Sequence, residues 1–132
     1  MVSEHMNHAR NFLKTAQEYL AAAEDSLAAE RHTPAAGDAI HAGINAKDAI
    51  VTALTGTTSK SKNHSAAAGD LKQALGQRPG AATAERALRE LISAKSDVEY
   101  GVALVTAAKA EPLIRRARTL VELAVQIVRL GR

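Results

Sequence analysis

Cysteine and tryptophan are absent from this chain, and Phe12, Tyr19 and Tyr100 are its only aromatic residues. Without cysteine there is no disulfide, no thiol nucleophile and no thiolate metal site. So few aromatics leave no cluster on which nucleic-acid bases would stack. The sequence also has no apolar run long enough to span a bilayer and no signal-peptide core at its start. A cytoplasmic protein with no membrane partner is the expectation.

What is abundant is alanine, at 29 of 132 residues. Alanine has the highest helix propensity, and its small side chain lets helix axes approach closely. A chain of this length is most simply one domain with a real core. The expected fold is therefore all-α, a single domain over residues 1–132. The formal net charge of +3 hides an uneven distribution. Residues 1–50 carry 4 Lys/Arg against 7 Asp/Glu, residues 51–80 carry 4 against 1, and residues 109–132 carry 6 against 2. An acidic face and a basic face follow, suited to an anionic partner or to self-association.

Five helices are predicted. The first runs from Ser3 or Glu4 to Glu30, with Ala9, Phe12, Leu13, Ala16, Leu20, Ala23 and Leu27 at helical spacing. Thr33 then reads as a cap with Pro34 in the first turn, and the second helix ends near Leu54 before Gly56. A polar loop over 56–63 leads to a short helix from Ser65 to Leu75, closed by Gly76 and the Arg78-Pro79-Gly80 turn. The fourth starts near Thr83 and should fray or break around Ser96-Asp97, with Tyr100 as a packing anchor. The last begins between Thr106 and Glu111, and Pro112 either sits in its first turn or kinks it. Its stripe of Leu113, Ile114, Ala117, Leu120, Val121, Ala124 and Val128 is widened by Leu123, Val125, Ile127 and Leu130. A helix apolar nearly all round is buried on more than one side. Leu123, Ile127 and Leu130 are accordingly expected to help form a homodimer interface.

The densest side-chain chemistry lies on the second helix. Asp38, His41, Asn45, Asp48 and Thr52 recur at spacings of 3, 4, 3 and 4, which puts them on one stripe. Such a stripe is ordinarily a hydrated face, and alternatively a cleft or dimer seam in which the carboxylates polarise His41. A second candidate is His64 with Lys60 and Lys62, at the start of the short helix, where backbone N–H groups favour an anion. Its ordinary reading is a capped helix beside a soluble loop, since no glycine-rich cradle accompanies it. Glu4, His5 and His8 are a weaker cation-binding prospect. The paired Glu-x-x-His helices of a di-metal bundle are missing, so neither metal nor cofactor is expected. The arginines Arg115, Arg116, Arg118, Arg129 and Arg132 suit the negative end of the last helix or phosphates.

Taken in order, these features resemble the HEPN domain, the helical domain named for higher eukaryotes and prokaryotes nucleotide-binding proteins. The resemblance covers residues 8–130 and rests on four pieces. They are Leu27-Ala28-Ala29-Glu30-Arg31, the alanine-rich segment from Asp38 to Ile50, the loop closing on Asn63-His64-Ser65, and the segment from Lys95 to Gly101. It implies an up-and-down bundle of four long helices plus a short one, commonly dimeric. Many such domains are metal-independent ribonucleases, often toxins paired with a nucleotidyltransferase antitoxin, marked by an arginine and a histidine on one helix. This chain departs from that pattern. Arg31 is separated from His41 by a helix boundary, and no histidine follows Arg78, Arg86 or Arg89. The expected function is a non-catalytic module binding a partner protein or RNA. The alternative is a ribonuclease toxin with a rearranged active site using His41 or His64 as base.

Overall fold

The computed structural model describes residues 3–57 and 66–131. Among these residues there are five α-helices and no strand: α1 (Glu4–Ala28), α2 (His32–Thr55), α3 (Ala67–Leu75), α4 (Ala81–Tyr100) and α5 (Ala107–Leu130). The central helix is α2, which packs against all four of the others. Twelve of its residues are buried, six of them alanine. At Gly43 the approach is closest. A Cβ there would lie 2.4 Å from Leu91 Cδ1 of α4 and 3.3 Å from Leu120 Cδ1 of α5. The fully buried large apolar side chains of the core are Leu13, Ile40, Ile50, Leu71, Leu88, Leu91, Ile114 and Leu120.

Helix ends follow local chemistry, with three departures from the sequence expectation. Helix α1 stops at Ala28, two residues short of Glu30, because Glu30 adopts a left-handed φ of 61°. The N–H groups of Glu30 and Arg31 turn back to the carbonyls of Leu27 and Ser26, a Schellman closure that normally selects glycine. Thr33 does not cap α2. That helix starts one residue earlier, at His32, with no side-chain cap, and the Thr33 hydroxyl accepts from the backbone N–H of Val105 at 3.3 Å. Helix α4 does not break at Ser96-Asp97 but continues to Tyr100. Val98 buries itself beside Gly37 of α2, and Lys95 pairs with Glu99 across one turn, so packing and an i,i+4 pair outweigh the poor propensities of Ser and Asp.

Other ends match. Gly56 holds a φ of 76° after α2, and the Thr106 hydroxyl caps α5 by accepting from Lys109 N–H at 3.3 Å. Pro112 sits in the interior of α5, so the carbonyl of Ala108 receives no i+4 N–H from it.

The apolar width of α5 has an intramolecular explanation. This helix packs against α1, α2 and α4 together, and needs apolar groups on three sides. Ile127 is buried and Leu123 half-buried within the single chain, which leaves only Leu130, 59% exposed, of the three residues expected to form an interface. The charge blocks also find partners within the chain. Arg118 of α5 meets Glu24 of α1 at 3.2 Å, Arg116 pairs with Glu90 of α4, and Arg129 donates to Gln17 at 3.4 Å. Exposed pairs of this kind stabilise little, about 0–1 kcal/mol each, and of these three contacts only Arg118–Glu24 joins the basic block to the acidic one.

Candidate functional site: a polar seam behind an exposed apolar corner

The polar stripe of α2 is only partly hydrated. Asp38, His41, Asn45 and Asp48 are half-buried and Thr52 is buried. Because α2 lies at the centre, even its polar side meets neighbouring helices. His41 shows the consequence. Its imidazole lies 5.2 Å from the Tyr19 ring of α1, and Nε2 is 3.4 Å from Glu99 Oε1 of α4, close enough for an ion pair when protonated. The other oxygen of Glu99 accepts from Lys95 Nζ at 2.6 Å. Lys95 Nζ in turn stands 5.9 Å from the Tyr100 ring. The Lys95 pKa is raised chiefly by its hydrogen bond to Glu99, with burial opposing and the charges of Glu99 and Tyr100 adding to the rise. One turn before His41, burial raises the carboxyl of Asp38 above its ordinary value, and the nearby imidazole acts in the opposite sense.

Asn45 and Asp48 are engaged on their own helix. Asn45 Nδ2 donates to the His41 carbonyl at 2.8 Å. Asp48 Oδ1 accepts from the buried Lys47 at 2.5 Å. Thus His41 is tied to α1 and α4, whereas Asn45 and Asp48 serve α2 itself. Lys60, Lys62 and His64 lie outside the described residues.

Beyond Lys95 the seam opens on the corner where α4 passes into α5. The segment 101–106 is fixed at both ends. Gly101 comes so close to the Asp97 carbonyl that a Cβ would lie 2.3 Å from that oxygen, which leaves glycine as the residue the turn accepts. Asp97 and Lys109 bridge the two helices at 3.4 Å, and buried Val105 is held by the Thr33 hydroxyl. Between these anchors Tyr100, Val102 and Leu104 point outward, 77%, 104% and 88% exposed. They are three of the four exposed large apolar side chains among the described residues. Tyr100 is therefore not the packing anchor the sequence suggested. A cavity of about 360 Å³ lies under the corner, lined by residues that include Val102, Leu104 and Lys109.

A larger groove, about 820 Å³, runs along the other end of the α1–α2 pair between Glu4, His5, His8, Asn11, Phe12, Thr15, Asn45 and Gly56. No group of three or more His, Asp or Glu side chains suited to a metal ion occurs among the described residues. Nor is any helix among them long and apolar enough to cross a membrane.

The residues that sequence reasoning missed are Tyr19, Glu99, Lys95 and the apolar pair Val102 and Leu104. A signal for the last two was present: Val102-Ala103-Leu104-Val105 is an apolar run between a helix-ending glycine and a helix-capping threonine. No known family matches this chain, and no curated protein is significantly similar to it.

Proposed function

We propose that this chain is a non-catalytic helical interaction module, an up-and-down HEPN-like bundle that docks a partner protein on its α4–α5 corner. The observation that carries this reading is the outward display of Tyr100, Val102 and Leu104 on a segment anchored at both ends. Single exposed apolar residues are ordinary on protein surfaces, but three within five residues on a fixed corner mark an interaction site. Docking is favoured by a surface already ordered before the partner arrives.

The bundle arrangement is supported by contact registers. Gly56 at the end of α2 neighbours His5 at the start of α1; Gly37 neighbours Val98 and Gly43 neighbours Leu91 between α2 and α4; Asp97 meets Lys109 and Glu90 meets Arg116 between α4 and α5. Each pair runs antiparallel. The order of long, long, short, long and long helices is the order that the HEPN resemblance implies. On that resemblance an antitoxin-like protein is one class of partner. A protein partner is favoured over RNA because Arg89, Arg116 and Arg118 are paired with carboxylates, which reduces the free positive charge that phosphate binding needs. A non-catalytic role is supported by the company His41 keeps among the described residues: a tyrosine ring, two carboxylates and, through Glu99, a lysine, with no arginine paired to it there to stabilise charge on a cleaved phosphate.

The test is affinity co-purification from the native cells using tagged wild type, a Val102→Asp/Leu104→Asp variant and an Asn45→Ala variant. A protein held in fixed ratio by wild type and by Asn45→Ala, but lost from the corner variant at unchanged helicity, is the expected result. Equal recovery by all three would remove the corner from the function.

A further inference from the structure

We infer that the groove between the start of α1 and the end of α2 binds an uncharged, hydroxyl-rich ring, a neutral sugar, at a site separate from the apolar corner. Its volume of about 820 Å³ falls within the range of roughly 300–1,000 Å³ typical of small-molecule sites. The first wall is a polar stripe on α1: Glu4, His8, Asn11 and Thr15 recur at spacings of 4, 3 and 4. Asn45, from the stripe of α2, lines the same space. Both ends are closed. Beyond Thr15 the Tyr19 ring lies 5.2 Å from the imidazole of His41, one turn before Asn45. At the other end His5 packs over Gly56, its Nδ1 3.9 Å from where a Cβ would stand. Helix α1 rises about 15 Å between His5 and Thr15, so the groove suits a compact molecule and not a chain running through it.

The lining selects the class of ligand. The side chains of Glu4, His5, His8, Asn11 and Thr15 make no hydrogen bond or ion pair within the chain. Asn45 Nδ2 is held by the His41 carbonyl at 2.8 Å, which fixes the amide and leaves Oδ1 to accept. No Lys or Arg among the described residues lines the groove, so a phosphate would find no counter-charge there. One exposed carboxylate beside one aromatic ring is also far from the aromatic cage that holds an organic cation. An apolar molecule would strip water from the polar groups and return no hydrogen bond. A sugar meets each of these demands. Its hydroxyls both donate and accept, as do the amides and the Thr15 hydroxyl, while a neutral imidazole offers one of each and Glu4 accepts. The apolar C–H face of its ring supplies a partner for the half-buried Phe12, the chain's sole phenylalanine.

The test is two-dimensional ¹H–¹⁵N NMR of the full chain. The sugar probes are methyl glucoside, methyl galactoside, methyl mannoside, N-acetylglucosamine and maltotriose. Inorganic phosphate, tetramethylammonium and adenosine serve as contrasts. At least one sugar should give saturable shifts at the side-chain amides of Asn11 and Asn45 and at the backbone N–H groups of Phe12 and Thr15. Val102 and Leu104 should not move. Asn11→Ala and Asn45→Ala should each weaken that binding about ten-fold. Asn11 is exposed, so its truncation leaves the core untouched, and an unchanged spectrum away from the groove verifies this.

The absence of a saturable shift from every sugar overturns the proposal, as do sugar shifts confined to residues outside the groove. Affinity unchanged in both variants overturns it as well. Tighter binding of phosphate, tetramethylammonium or adenosine than of any sugar overturns the class of ligand. None of these results bears on the corner, which the co-purification tests by itself.

Discussion

Adding one methyl group at Gly43 should destabilise this protein, although adding one to a helix usually does the reverse. Replacing glycine by alanine inside a helix gains about 1 kcal/mol from propensity. At Gly43 the new Cβ would lie 2.4 Å from Leu91 Cδ1 and 3.3 Å from Leu120 Cδ1. Ordinary carbon–carbon contacts are about 3.5–4.0 Å, so the Leu91 methyl must retreat by about 1 Å. It has little room to do so. Leu91 and Leu120 are both fully buried, and the added group is pinched between α4 and α5. Overpacking of this kind costs about 1–3 kcal/mol. Net destabilisation of about 1 kcal/mol follows, a fall in Tm of about 3–5 °C for a chain of this size. Gly69→Ala supplies the opposite sign in the same protein. A Cβ at Gly69 in α3 meets nothing within 4 Å, so the propensity gain should appear undiminished. Thermal and urea melts followed by circular dichroism measure both. If Gly43→Ala melts as far above wild type as Gly69→Ala does, the close approach of α2 to α4 and α5 is wrong.

Three further outcomes are expected. Thr33→Val removes the acceptor for the Val105 N–H, so it should cost about 1–2 kcal/mol and speed hydrogen exchange at Val105; unchanged exchange there would mean that the hydroxyl does not hold the corner. Asp38 has its pKa raised by burial, so the folded state holds the carboxyl proton more tightly than the unfolded chain. Its stabilising contribution is fully present below the unfolded value of 3.8 and is lost as pH rises through the folded pKa, so Asp38→Asn should raise Tm near neutral pH and have little effect in strong acid. A gain confined to acid pH would reverse that assignment. Purified protein incubated with total RNA without added metal should leave it intact, and cleavage that disappears in His64→Ala would restore the toxin reading.

The spacing of Asp38, His41, Asn45 and Asp48 made a single polar stripe on one helix legible, because a 3.6-residue period is a local property. What that stripe faces was not legible. Glu99, itself held by Lys95, reaches His41 from more than fifty residues away, and the Tyr19 ring reaches it from another helix again. Thr33 carries the local signature of a helix cap, yet its hydroxyl is taken by Val105, which only tertiary packing brings near. Ser96-Asp97 carries the signature of a break, but a buried Val98 and a flanking Lys95–Glu99 pair hold the helix through it. The breadth of the apolar stripe on α5 was read correctly as burial on several sides. Its covering is supplied by α1, α2 and α4 of the same chain. The exposed apolar surface instead lies at the other end of that helix: from Ala107 to Leu130 it has 24 residues, about 36 Å of rise.

Photo-crosslinking in the native cells therefore tests the central claim most directly. A photoreactive residue is placed at position 104 in one protein and at position 130 in another, at opposite ends of α5. The corner as docking surface predicts a discrete protein adduct from position 104 and none from position 130. An adduct from position 130 alone, or from neither position, would contradict it.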